Sequence, residues 1–450
     1  MTRKRHATLA EISRSLADGK VTARGLAEES LARIANPNGE GARAFIHVDP
    51  VRVMHQADEQ DALRRAGRAP SPLAGIPIGI KDLFDVAGEV TTAGSRLLAA
   101  GNPADRDSDA VAAVRRAGMV ILGRTNMTEF AYSGVGINPH YGTPLSVYGR
   151  LDKRIPGGSS SGSGVAVAEG MCPVALGSDT GGSCRIPAAF NGVVGFKSSA
   201  QRVSKRGVYP LSLTLDSVGP IANSVACCVA VDALLSGTTA PAPGEVRRTM
   251  RLGVLTDYVL DGLDDTVARD FAAAVKRLEA AGYRIENVSF PEIQEMPQFL
   301  ANGGIAGAEA WAHHAPIIAA HEAEYDPRVV SRIRFGEKIT AEDLARIRAR
   351  RAEVIARFAA IAQGYDAIIC PTVAITPPPI AALADESDYR RLNGLCLRNT
   401  YVFNTLDACA ISLPMQPEDG APTGLMMALP NGHDTALFQA AAAAEAAIQG

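Results

Sequence analysis

Neither sign of charge is in excess: 45 Lys and Arg stand against 48 Asp and Glu, a net of −3. That balance gives no electrostatic footing for nucleic acid or for an anionic membrane surface. No apolar run approaches the roughly 18 to 20 residues that a membrane helix needs; the best, Val225 to Leu235, is shorter and carries Asp232. The start, Thr2 to Arg5, is basic, but the stretch LAEISRSLADG after it mixes polar and apolar residues and has no apolar signal-peptide centre. The seven cysteines (Cys172, Cys184, Cys227, Cys228, Cys370, Cys396, Cys409) form no CxxC pair, and most sit in apolar runs. Buried, reduced thiols in a cytoplasmic enzyme are the expectation. No internal repeat is evident. What is present, 47% apolar and 21% charged residues, is the balance of a soluble globular protein.

The pattern along the 450 residues begins with about 65 that are helical, where Thr22 can cap a helix with the apolar stripe Leu26, Leu31, Ile34. A βα alternation follows: strand Ile76 to Ile80, helix Asp109 to Ala117, strand Val120 to Leu122, helix Val165 to Glu169, strands Val174 to Gly177 and Val193 to Phe196, then a helix through Leu235 capped by Asn223. After a Pro/Gly/Thr-rich loop at Ser236 to Gly244 come strand Leu252 to Leu255, helix Asp265 to Ala281 and strand Arg284 to Phe290. Residues 291 to 365 turn helical and charged, with Thr340 and Asp343 as a capping pair, before a last buried strand at Ala367 to Cys370 and an extended Pro371 to Pro379. This rhythm predicts an α/β fold: one domain with a large mixed, mostly parallel central sheet covered by helices on both faces.

The chemistry concentrates in Pro156 to Ser199. Ser159 follows Gly157 and Gly158, Ser183 follows Gly181 and Gly182, and the two serines stand 24 residues apart. Each hydroxyl sits where the backbone can bend sharply and approach a ligand. Amide cleavage needs a nucleophile, a place for the oxyanion and a proton for the departing nitrogen. Serine needs a base for the first, and none of the eight histidines falls in either glycine turn. A lysine serves if burial lowers its pKa toward neutrality. Lys81, at the end of the apolar run Ile76 to Ile80, is the candidate, although a lone lysine ending a strand also reads as a salt-bridge partner. A glycine-rich stretch of this kind also raises a phosphate- or nucleotide-binding module, but no GK[ST] follows it and no strand-GxGxxG-helix fingerprint exists.

Taken in order, GIPIGIKD, TTAGS, AGMVILGRTNMTEFA, PGGSSSGSG, GSDTGGSCRIPAAFNGVVGFK and LDSVGP resemble the amidase signature family, strongly over residues 70 to 225, with weaker echoes toward both ends. The resemblance implies the amidase signature fold and hydrolysis of a small-molecule amide to carboxylate plus ammonia or amine, with no cofactor or metal. It implies Ser183 as nucleophile, Ser159 as the bridging serine behind a cis Gly158–Ser159 peptide, and Lys81 as base. The N–H groups of Thr180, Gly181, Gly182 and Ser183 can then converge as an oxyanion hole. Residues 291 to 365 would be a substrate-specific cover, and a homodimer is possible by the same likeness.

Asp179 and Arg185 flank the nucleophile with opposite charges and read as a buried ion pair bracing the loop rather than as direct substrate contacts; alternation turns Cys184 away from Ser183, so it reads as packing rather than as a thiol nucleophile. Tyr132 lies in a segment that lines the acyl pocket in family members, and reads equally as core. His313, His314 and His321 read as a packing or solvated cluster. A second enzymatic reading is the amidase (glutaminase) subunit of a glutamine-dependent tRNA amidotransferase, from which Ile186 in GGSCRIPA departs toward general amidases.

Overall fold

Apolar segments without polar alternation become strands buried on both faces; most strands here are of that kind, while Phe45–His47 and Arg284–Val288 at the two edges of the sheet are partly exposed. In the computed structural model, which describes residues 6–239 and 249–449, the strands are β1 (Phe45–His47), β2 (Pro77–Lys81), β3 (Val120–Thr125), β4 (Val174–Asp179), β5 (Val194–Lys197), β6 (Ser217–Ala222), β7 (Arg251–Leu255), β8 (Arg284–Val288), β9 (Ala367–Pro371), β10 (Ala408–Pro414) and β11 (Gly424–Pro430). The basic start Thr2 to Arg5 and residues 240–244 of the expected loop lie outside the described residues.

All eleven strands join one sheet in the order β1-β3-β2-β4-β6-β5-β10-β11-β9-β7-β8. The sheet is large and mixed, as expected. Its parallel share is smaller than "mostly": parallel pairing is confined to the wings β3-β2-β4 and β9-β7-β8, and the six other neighbour pairs are antiparallel. The reason lies in β6, β10 and β11, which the βα rhythm did not reveal. β10 and β11 form a hairpin wedged between β5 and β9, and β6 runs against both β4 and β5.

Alternate residues feed opposite cores. Ile369, Ile411 and Met427 pack on one side with the helices Val225–Ser236, Asp265–Ala280 and Asp434–Gln449. Ile368, Ala410 and Met426 pack on the other with Val354 and Phe358 of the helix Ala341–Ala362. Thr22 caps as expected, its hydroxyl accepting from the Gly25 N–H at 3.0 Å, and Thr340 and Asp343 complete a capping box. The cap before Val225 is Ser224, not Asn223: its hydroxyl accepts the Cys227 N–H at 3.3 Å. The small-residue helix starts earlier than its apolar part suggests, at Ser161, because Gly and Ser rather than bulky residues fit where it passes Ala44 and Asn126. All seven cysteines are free and buried. No helix among the described residues is long and apolar enough to cross a membrane.

Candidate active site

β2 and β4 are parallel neighbours, with Ile80 level with Leu176, so their C-terminal ends deliver side chains to one edge of the sheet. Lys81 ends β2 with no solvent exposure. Its Nζ donates to Ser159 Oγ at 2.8 Å and to Ser178 Oγ at 2.8 Å. Burial pushes its pKa from 10.5 down to about 7, while the carboxylates of Asp179 and Asp216 pull it back up. An ammonium buried among hydroxyls loses its hydration, so the neutral amine is favoured.

Ser159 follows a cis Gly158–Ser159 peptide. Gly157 before it has φ +75°, and a Cβ there would stand 3.0 Å from the Pro187 backbone and the Phe190 ring. The turn is tied to that of Ser183 through the main chain, Ser160 N–H donating to the Ser183 carbonyl at 3.2 Å. Ser183 keeps 4% of its surface exposed. Among the described residues its hydroxyl makes no hydrogen bond. Lys81 and Ser159 thus touch directly, and Ser183 joins them through the paired turns.

The strand β4 hands over to the nucleophile turn at Asp179, and Asp179 organises that turn. One carboxylate oxygen accepts the Gly182 N–H at 2.8 Å and the other the Cys184 N–H at 3.1 Å. The Gly182 N–H, one of the four expected oxyanion donors, is thus already engaged by Asp179. The N–H groups of Thr180, Gly181 and Ser183 meet no acceptor among the described residues. Gly182 has φ +133°, and a Cβ on it would meet Thr400 Oγ1 at 2.2 Å, so only glycine fits.

Arg185 clamps the same carboxylate through Nε at 3.0 Å and Nη2 at 2.9 Å, and also donates to the Asn404 side chain at 2.6 Å and the Thr400 carbonyl at 3.1 Å. Burial works against the Asp179 charge, but the Arg185 guanidinium outweighs it and holds the carboxyl well below its usual range. The bracing reading of this pair fits its geometry. Cys184 is fully buried, with Sγ 3.7 Å from the Gly219 carbonyl, and burial pushes its thiol up, away from the reactive thiolate.

Two participants were not singled out in the sequence. Ser178, inside GSDTGGS five residues before Ser183, shares Lys81 with Ser159; its signal was its place just past the expected strand Val174 to Gly177, in the run that leads to Ser183. Asp216, in LDSVGP, accepts Thr180 Oγ1 at 2.5 Å and the N–H groups of Leu211 and Ser212 at 3.0 Å. It fastens the segment 205–216 over a narrow cleft of about 30 Å³ that reaches Ser178 and Thr180, with Tyr209 and Leu213 among its walls. Tyr132 is 6% exposed and lies under the Arg332 guanidinium, 4.9 Å from the ring centre. His314 packs on Phe130 and bonds Tyr325 Oη at 3.0 Å, whereas His321 points to Glu324 at 2.7 Å, so the three histidines share no site.

The family model that describes amidases matches residues 26–438. The chain belongs to the amidase family. This amidase is 32% identical over 454 residues to the 2-amino-5-chloromuconic acid deaminase of Comamonas testosteroni, covering 98% of this chain and 96% of that one. It is equally 32% identical, over 469 residues, to a glutamyl-tRNA(Gln) amidotransferase subunit of Symbiobacterium thermophilum, covering 96% and 95%. A solved amidase structure superposes with a TM-score of 0.90 at 31% identity, covering 98% of this chain and all of that one. The amidase is thus a hydrolase of the amidase signature type, and its fold is that of its relatives.

Proposed function

We propose that this amidase hydrolyses the C–N bond of a small-molecule amide through an acyl-enzyme on Ser183, with Ser159 relaying protons to Lys81. The observation that carries the reading is a buried lysine, its pKa brought to about 7, in hydrogen-bond contact with Ser159. Neutral Lys81 takes the Ser159 proton while Ser159 takes that of Ser183, and Ser183 Oγ adds to the carbonyl carbon. The carbonyl oxygen becomes an oxyanion, received by the unengaged N–H groups of Thr180, Gly181 and Ser183. As the C–N bond breaks, the proton returns along the same path to the nitrogen, which departs as ammonia or amine. Water then adds to the acyl carbon, giving its proton to the relay, and the acid leaves with Ser183 restored. Ser178, sharing Lys81, keeps the amine aimed at Ser159.

The test is release of ammonia or amine from a panel of primary, aryl and ureido amides. Ser183→Ala should abolish turnover with the fold intact by circular dichroism, and Lys81→Ala should cost several orders of magnitude. Undiminished turnover by Ser183→Ala would exclude it as nucleophile. Likeness to one component of an amidotransferase makes glutamine a required member of the panel: ammonia from glutamine, with copurification of a second protein chain, would favour that assignment over a free-standing amidase.

A further inference from the structure

Eight arginines lie on the helices Pro327–Phe335 and Ala341–Ala362, and Arg332 alone among them has no anion or carbonyl partner among the described residues. The others engage Glu322, Glu309, Glu295, Glu292, Asp343 or main-chain carbonyls. Acids at the cap of the helix that carries Arg332, on the turn that follows and on the helix Gly304–His321 packed against it are committed elsewhere. Glu309 accepts from Ser212, Thr214 and Arg348, Glu337 lies against Arg334, and Asp326 caps its own helix. A half-buried guanidinium left without a counter-charge is costly unless something supplies one.

Arg332 lies over the Tyr132 ring, a contact that uses the face of the guanidinium and leaves its edge N–H donors free. Tyr132 and Tyr401 are 6% and 8% exposed, and their hydroxyls make no hydrogen bond among the described residues. The nearby Tyr389 differs: its hydroxyl is bonded to Ser133 at 2.9 Å. Burial keeps the Tyr132 and Tyr401 phenols protonated. The Arg332 guanidinium, whose charge acts on both phenols, and the two hydroxyls are thus three donors with no hydrogen-bond acceptor among the described residues.

The group adjoins the nucleophile turn through Tyr401. A Cβ on Gly181 would stand 2.7 Å from the Tyr401 ring, and one on Gly303 would stand 2.8 Å from Tyr132 Oη, so both rings pack close against glycine backbone, Tyr401 against that of the nucleophile turn. We propose that Arg332, with the hydroxyls of Tyr132 and Tyr401, binds an ionised carboxylate of the substrate, making the preferred substrate the monoamide of a small dicarboxylic acid. The assignment rests on the amidase reading above and adds the substrate class. A planar guanidinium edge matches a carboxylate, and phenol O–H groups supply the remaining bonds to its oxygens.

The experiment compares succinamate and its longer homologues with their methyl esters, by kcat/KM in wild type, Arg332→Gln and Arg332→Lys. Wild type should prefer the acids by about 10- to 100-fold. Arg332→Gln should erase most of that preference, Arg332→Lys should keep part of it, and added salt should shrink it. Binding of the same pairs to Ser183→Ala, measured by calorimetry with and without Arg332→Gln, gives the same comparison without turnover. If wild type hydrolyses no amide while Ser183→Ala still binds acids at least about tenfold tighter than esters, the amidase reading fails and the carboxylate site stands. Equal handling of acid and ester, no binding of either, or a preference that survives Arg332→Gln overturns the proposal. Should Arg332→Gln fail to fold, the wild-type comparison and Arg332→Lys decide it.

Discussion

Lys81 is a lysine without solvent exposure. As the acceptor of the Ser159 proton it must be neutral, so kcat/KM should rise with pH through a midpoint near 7 and level off above it, where an exposed lysine would place that midpoint near 10.5. A pH profile with no limb between pH 6 and 8 would remove Lys81 as base. The same shift bears on stability. Burial depresses the folded-state value below that of the unfolded chain, so between about pH 7 and 10.5 the unfolded state holds the extra proton. The penalty is therefore full below about pH 7 and fades as pH rises toward 10.5. Lys81→Met should stabilise the inactive protein at pH 6 by about 3 to 5 kcal/mol, with the gain lost by pH 10, as read from urea unfolding at both pH values. Asp179 is the opposite case, a buried charge fully compensated by Arg185. Arg185→Met strands that carboxylate and should cost about 3 to 5 kcal/mol, whereas an exposed pair such as Lys20–Asp18 is worth little.

At the scale of elements, the nucleophile turn and the segment 205–216 depend on neighbours far away in sequence. Gly182→Ala would drive a methyl group to 2.2 Å from Thr400 Oγ1 on the helix Glu386–Thr405. The turn must shift, and turnover should fall at least about 100-fold while the far side of the sheet is undisturbed; amide exchange by NMR or mass spectrometry would localise the change. The segment 205–216 is held on one side by Asp216 to Thr180 and on the other by Glu309 to Ser212 and Thr214. Glu309→Ala removes that second set of hydrogen bonds and should cost about 2 to 3 kcal/mol. It should also expose Lys205 to trypsin sooner than in wild type, whereas equal cleavage rates would show the segment fixed by Asp216 alone. The cap misassigned to Asn223 belongs to this scale too. Asn223 and Ser224 are both good capping residues, and only the direction in which the chain enters the helix chose between them.

For the whole molecule, β10 and β11, formed near the end of the chain, sit in the middle of the sheet. The wing β9-β7-β8 therefore reaches β3-β2-β4 only through strands made last. We expect one cooperative unfolding transition in urea, with fluorescence and circular dichroism coinciding, and a chain ending before Ala408 should fail to give a folded product. Two separated transitions would show the wings to be independent. This centre of the sheet was also the part least legible in advance. β6 carries Gly219 and Pro220 and reads as a loop, β10 follows the helix Glu386–Thr405, which the sequence pattern did not reveal, and β11 follows β10 with no helix between them.

The sequence by itself determined the local chemistry: which glycine turns carry serines, which apolar run carries a lysine, and the buried ion pair that follows, because these depend on short-range conformational freedom and on charges too close to stay unpaired. Only the tertiary structure decided which N–H of the turn is already taken by Asp179, that Ser178 shares Lys81, and that Arg332 meets Tyr132 and Tyr401. Those facts depend on segments up to 270 positions apart along the chain being brought together, and no local pattern encodes such distances.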